Sequence, residues 1–377
     1  MRGQSDPQDL IFFSFDIEER IPENHPLRDV KRRADAILRS MNPVFEKAYS
    51  KTGRPSIPPE QLLKALLLQA LYSIPSEIKL MEAIEYNFLY RWFLGMQMDA
   101  KAWTPETFSM NRKRFEKHQI VRKFFDRVVA SALTEQCAST DHFTVDGTLV
   151  RSWASQKSLV PRDENGKDDD DKPGGAEGNP RGGRNPYVNF RGEKRTNKTH
   201  YSRTDPEALI YKKGGTGAFL SHSAHVLMEN RNGLIVDLEV DSADGHSERR
   251  AARTMIGRSR SRHRKLKLKT IGFDSGYDCG KFLDQIEKKH RVIPHVAIKK
   301  NRKTAIPSRQ KAVRRMTTKG YAISQRIRKR VEEIFGWAKT VGRMARTRFV
   351  GRWKIAQEQL ITGAAYNLLR LARLKTA

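Results

Sequence analysis

The chain has 377 residues, of which 38% are hydrophobic and 31% charged, and it carries a formal charge of +29 with a pI near 10.2. That length suffices for two or three domains with a sizeable core, and the lack of any run approaching about 18 apolar residues speaks against a membrane span. A surface this positive repels itself unless it meets a polyanion, so nucleic acid is the leading partner and an acidic lipid surface, for which no amphipathic anchor is present, is not.

Cys137 and Cys279 form no Cys-x-x-Cys or Cys/His cluster, which argues against a disulfide framework and a zinc site and fits a reducing cytoplasm. The stretch Met1 to Asp16 lacks the apolar run of a signal peptide, so a cytoplasmic, nucleoid-associated protein is expected.

Residues 1–52 read as an arm with one helix, Leu27 to Met41, after the breaker Pro22-Glu23-Asn24-His25-Pro26. A helical region follows over 53–136. Pro59 opens a helix whose Leu63, Leu66, Leu67, Ala70, Leu71 and Ile74 recur at helical spacing, and Ser76 caps the next, which runs to Asn87. Thr104-Pro105-Glu106 starts a third, basic helix that carries Arg112, Lys113, Arg114 and Lys117. Two readings stay open here: a helix-turn-helix-like grip on DNA phosphates through Arg112 and Arg114, or a docking domain with a solvated charged face. The rings of Tyr86, Phe88, Tyr90, Trp92 and Phe93 read as core rather than as a base-stacking platform.

From His142 the period changes to two, and Phe143 to Val150 reads as a strand with Asp146 in its middle, a residue type that strands disfavour. The polar, Gly-, Pro- and Asp-rich stretch 156–189, with Asp168 to Asp171 in series, reads as a flexible insertion. Ala218 to Glu229, the turn Asn230-Arg231-Asn232-Gly233 and Leu234 to Val240 make a hairpin after a turn at Gly214-Gly215-Thr216-Gly217. A helix from Ser247 to Gly257, a strand Leu266 to Phe273, a helix Cys279 to Lys289 capped by Asp278, a strand Arg291 to Ile298 and a basic loop follow.

Next, Ile327, Val331, Ile334, Phe335 and Ala338 define the apolar stripe of a helix from Ser324 to Lys339. On that helix, at about 100° per residue, Arg328, Glu332 and Lys339 fall within roughly 40° of one another, while Glu333 points away. Trp337 reads as core, and 346–377 as a C-terminal helix.

The order strand, strand, strand, helix, strand, helix, strand, helix over 137–345 resembles a ribonuclease-H-like domain, an α/β fold with a mixed sheet flanked by helices. In that fold the first and fourth strands are neighbours, which would bring Asp146, Asp274 and Glu332 together. Three carboxylates supply hard oxygen ligands suited to Mg²⁺ or Mn²⁺, and a pair of such ions serves in-line displacement at phosphorus.

The residues Val145-Asp146-Gly147-Thr148, Asp274-Ser275-Gly276-Tyr277-Asp278 and the Arg-x3-Glu-x6-Lys spacing of Arg328, Glu332 and Lys339 resemble the motifs of DDE transposases from bacterial insertion sequences of the insertion-sequence-four and -five group. The helical stretch from Pro58 to Arg114 is similar to their N-terminal domain. The resemblance implies a homodimer that binds terminal inverted repeats, cleaves the strand with metal-activated water and joins the 3′-hydroxyl to target DNA. It also implies Asp146, Asp274 and Glu332 as the acidic triad on two Mg²⁺ ions, with Arg328 and Lys339 on the phosphate side. One departure stands out: the group has tyrosine where this chain has Gln325. A ribonuclease-H-like nuclease without strand transfer and a non-catalytic DNA-binding protein remain alternatives.

Overall fold

The computed structural model describes residues 16–50, 52–53, 55–162, 195–212, 217–298 and 306–375. The first third is helical: α1 (Ile17–Arg20), α2 (Pro26–Ser40), α3 (Asn42–Ala48), α4 (Pro59–Leu71), α5 (Glu77–Tyr86), α6 (Phe88–Leu94), α7 (Glu106–Lys117) and α8 (Ile120–Thr134). Capping chemistry sets several starts. Ser76 Oγ accepts from the Lys79 amide at 3.1 Å, and Pro26 and Pro59 sit in the first turns of α2 and α4, where a missing N–H breaks no helical bond. The aromatic cluster divides: Tyr90, Trp92 and Phe93 are core, whereas Tyr86 and Phe88 are 81% and 53% exposed.

The period-two region gives β1 (His142–Arg151), β2 (Leu159–Pro161), β3 (His200–Ser202), β4 (Leu209–Tyr211), β5 (Phe219–Glu229) and β6 (Ile235–Ser242), the last two joined by the expected turn, where Gly233 takes φ +72°. There follow α9 (Ser247–Arg262), β7 (Thr270–Phe273), α10 (Gly280–Lys288), β8 (Ile293–Val296), α11 (Pro307–Arg315), α12 (Lys319–Arg328), α13 (Val331–Thr340) and α14 (Arg352–Lys375). The main sheet runs β6-β5-β1-β7-β8, with β4 on the free end of β5, and β2 and β3 form a separate ribbon. β5 is antiparallel to both of its neighbours, β1 and β6, while β7 and β8 continue parallel to β1. This is the ribonuclease-H-like mixed sheet, with the first and fourth of its five main strands side by side.

Several local expectations are corrected. The strand at 266–273 shortens to β7, because Leu268 takes φ +45° and the amides of Lys267 to Thr270 bond to the carbonyls of Thr140 and Asp141. Asp278 does not cap α10; it is buried and receives the Arg309 guanidinium at 2.9 and 3.0 Å, and Cys279 holds the cap position. The single helix expected over Ser324–Lys339 is two helices. Between them, the amides of Arg330, Glu332 and Glu333 bond three residues back rather than four, a tightened step through Lys329 and Arg330. Most of the 156–189 stretch, including Asp168 to Asp171, the turn residues 214–216, and 299–305 of the basic loop lie outside the described residues.

The last helix is no tail. In α14, Ile355, Leu360, Ile361, Ala364, Ala365, Leu368 and Leu371 are buried among α2, α4, α8 and β6. Asn367 clamps the edge of β6, accepting from the Ile235 amide at 2.8 Å and donating to its carbonyl at 2.7 Å. Arg122 of α8 reaches Asp237 of β6 at 2.7 Å, so the helical layer and the sheet share one buried cluster. No helix among the described residues is long and apolar enough to cross a membrane.

Candidate active site

The register of the parallel β1–β7 pair places the two aspartates. His142, Phe143 and Thr144 stand opposite Thr270, Ile271 and Gly272, and Asp146 and Asp274 each follow two residues after the last of these pairs, at the same end of the pairing. Asp146 Oδ1 accepts from the Gly147 amide at 2.8 Å and Oδ2 from Arg328 Nη1 at 3.2 Å. Asp274 follows the last residue of β7 and caps the short turn Ser275–Tyr277, with Oδ1 accepting from the Gly276 amide at 2.9 Å.

Arg328 is held in place by the residue that departs from the resembled signature. Gln325 Nε2 donates to the carbonyls of Phe273 at 3.2 Å and His295 at 2.7 Å, tying α12 to the ends of β7 and β8. Its Oε1 accepts from Arg328 Nε at 3.3 Å, which aims the guanidinium at Asp146. Gly272 permits this approach: a Cβ there would lie 2.9 Å from Ser324 Oγ.

Glu332 lies in the first turn of α13, four residues past Arg328, and is exposed, as are Glu333 and Lys339. Lys329 and Arg330 keep right-handed helical backbone through the step, so Glu332 stays about one turn beyond the arginine that touches Asp146. Among the described residues no three His, Cys, Asp or Glu side chains are already gathered as a cation cage. Arg112 and Arg114 are turned into the protein. Arg112 pairs with Glu77 at 2.7 Å and stacks at 4.2 Å on Phe349, and Arg114 bonds Asn111 at 2.8 Å and stacks at 4.3 Å on Tyr49. Lys113 and Lys117 are the exposed cations of that helix.

A residue that the sequence reading passed over stands beside the aspartates. A Cβ on Gly276 would lie 3.1 Å from Asp274 Oδ1 and 3.1 Å from Glu248 Oε2, so the carboxylates of Asp274 and Glu248 converge on one glycine. Next to it, the Tyr277 hydroxyl is buried with no hydrogen-bond partner among the described residues. Burial first, then the charges of Glu248, Asp146 and Asp274, push the phenol well above its ordinary pKa. Convergent hard oxygens, an orphaned hydroxyl and a glycine cradle fit a divalent cation such as Mg²⁺ or Mn²⁺. The only sequence signal for Glu248 was an acidic residue in a first helical turn, which is commonplace.

A mixed sheet with this strand order defines the ribonuclease-H-like class. Residues 15–114 match the family described as a transposase domain (DUF772), and residues 189–368 match the transposase DDE domain. The chain belongs to the DDE transposases of insertion sequences. Asp274, Arg328, Glu332 and Lys339 lie within the DDE match, whereas Asp146 lies between the two matches and is placed by the sheet register. No curated protein matches the chain. Among solved structures, a Mos1 transposase paired-end complex with left transposon end aligns at 11% identity over 79% of this chain and 82% of that one, with a TM-score of 0.21, a likeness too slight to carry an argument.

Proposed function

We propose that this transposase binds the terminal inverted repeats of its element as a homodimer, cleaves the strand at the element's end and joins the resulting 3′-hydroxyl to target DNA. Asp146, Asp274 and Glu332 are the residues proposed to hold divalent ions, Mg²⁺ or Mn²⁺. Such ions supply Lewis acidity to the attacking and leaving oxygens of an in-line displacement. The observation that supports the reading is that Asp146 and Asp274 each follow two residues after the last pair of the parallel strands β1 and β7, with Arg328 bonded to Asp146, inside a chain matched by the DDE family.

The chain's own groups have distinct tasks. Strand pairing with Val226 fixes the backbone of Asp146, and Asp274 is held where β7 ends by its bond from the Gly276 amide. Arg328, oriented by Gln325, offers a planar fork to the non-bridging oxygens of the scissile phosphate, and Lys339, two turns past Glu332, adds a second cation on the same helix. The excess of Lys and Arg, formally +29, supplies sequence-independent grip on the phosphate backbone.

The test is joining of a pre-cut 3′-end to plasmid DNA by purified protein in Mg²⁺, with the element's end taken from the DNA flanking the coding region. Joined product supports the transposase reading, whereas cleavage without any joined product would favour a nuclease. Binding should weaken steeply between 50 and 200 mM salt, by on the order of 10³-fold if six or more phosphates are neutralised; a flat response removes the electrostatic grip.

A further inference from the structure

We propose that Trp153 is a stacking platform for an unpaired base of the DNA, with Arg151 and Arg346 beside it for the phosphates. The inference rests on the DNA-binding reading above and adds to it the form of DNA that this surface takes, an opened strand rather than a paired duplex.

The chain leaves β1 still extended, so Arg151, Trp153 and Ser155 are exposed while Ser152 and Ala154 between them are buried. Trp153 is 56% exposed, for a side chain that is ordinarily well covered. The Arg346 guanidinium lies 4.8 Å from the centroid of its ring, and Nη2 donates to the Trp153 carbonyl at 3.2 Å, which fixes cation and ring together. The arrangement is repeated nearby, where the Arg151 guanidinium lies 3.8 Å from the ring centroid of Phe219, itself 38% exposed. Both pairs border a cavity of about 390 Å³, with Arg151, Phe219 and Arg346 in its wall and the buried Ser152, Ala154 and Leu220 as its floor.

Charge decides the occupant. Arg122, Arg250, Arg258 and Arg352, around the same sheet, each meet a carboxylate. Arg151 and Arg346 meet none among the described residues, and each lays its guanidinium on a ring instead. Guanidinium edges recognise phosphate oxygens, and an exposed indole offers a π-face. A nucleotide supplies both partners, but a duplex hides the faces of its bases in its own stack, so only an unpaired base can use the ring.

The platform is tied to the elements that carry the candidate site. Trp153 stands seven residues after Asp146, no more than about 25 Å of extended chain and less than one turn of duplex, about 34 Å. Arg151 bridges to Arg346 in the segment that follows α13: the Arg151 amide donates to the Ala345 carbonyl at 3.1 Å and the Thr347 amide to the Arg151 carbonyl at 2.9 Å. The end of β1 and the chain leaving α13 therefore meet at this surface, within reach of a strand opened at the cut.

The test titrates a labelled oligothymidylate and a fully paired duplex of the element's end with the full chain, as wild type, Trp153→Ala and Trp153→Phe, and reads fluorescence anisotropy together with quenching of tryptophan emission. Trp153→Ala should weaken oligothymidylate binding by about 5- to 150-fold, the worth of one base stack, and duplex binding by far less. Trp153→Phe should restore most of the single-strand affinity, and its emission should be quenched less than that of the wild type. A Trp153→Ala protein that binds oligothymidylate as the wild type does, with duplex binding intact, overturns the platform and leaves the DNA-binding reading standing. Equal losses for both DNAs also overturn it, since stacking on an unpaired base would discriminate between them. A wild type that binds neither DNA overturns both readings. If Trp153→Ala fails to fold, the quenching decides, because wild-type emission unchanged by bound oligothymidylate contradicts the proposal.

Discussion

Two parts of the candidate site are built in opposite ways. Asp146 stands within β1, whose register with β5 admits no slip because one residue would turn every side chain to the other face, and Asp274 directly follows the last residue of β7. Glu332 rides an exposed first turn just past a tightened step between α12 and α13, four residues after the Arg328 that bonds Asp146. The sheet supplies position and the helix pair supplies reach. In the proposed reading, the two aspartates are present before DNA arrives and the placement of Glu332 depends on how α12 and α13 sit.

The largest effects should come from the rigid part. Asp146→Asn and Asp274→Asn each lower strand cleavage by more than about 100-fold, beyond the range typical of losing a mere partner of a metal ligand, while binding to the element's ends measured by gel shift stays near wild type. Near-normal cleavage by either variant removes that residue from the site. Arg328→Ala, which acts through orientation and phosphate contact, should cost about 10–100-fold in cleavage; full activity would mean that its bond to Asp146 has no part in the reaction.

The comparison sharpens further at the basic helix α7. Arg112 is packed on Phe349 and paired with Glu77, so Arg112→Ala should lower unfolding free energy by about 1–3 kcal/mol and leave DNA affinity little changed. Lys113→Ala, on the exposed face, should do the reverse. Weakened DNA binding at unchanged stability in Arg112→Ala would restore the phosphate-contact role that the sequence assigns it.

The smallest effect is a pH dependence. Burial first, then the charges of Arg315 and His142, hold His295 down to about 4 from an ordinary 6.5. The folded pKa is depressed, so between those values the unfolded chain binds more protons and stability falls as pH drops through the window. Urea midpoints at pH 7, 5.5 and 4.5 should show a shallower acid-side loss in His295→Leu than in the wild type; parallel slopes would contradict this.

The legible parts of the sequence were those where local pattern and chemistry coincide. Asp146 announced itself as an aspartate within a strand alternation, and Asp274 as the acid after a strand's last apolar residue, so the pair was readable once the strand order was assumed. Glu248 was not, because its nearness to Asp274 arises only when the head of α9 folds back over the turn after β7. The step at Lys329–Arg330 carries no Gly or Pro to mark it. Nor could the inward course of Arg112 and Arg114 be seen in a helix whose sequence is mostly polar on every side, since their partners Glu77, Phe349 and Tyr49 lie far away along the chain.

The most direct measurement is anomalous diffraction from crystals of the full chain grown with Mn²⁺. A peak lying between the carboxylates of Asp146 and Asp274 is the result expected. Manganese bound elsewhere, with those two side chains well ordered and bare, would contradict the shared-cation site on which the whole reading is built.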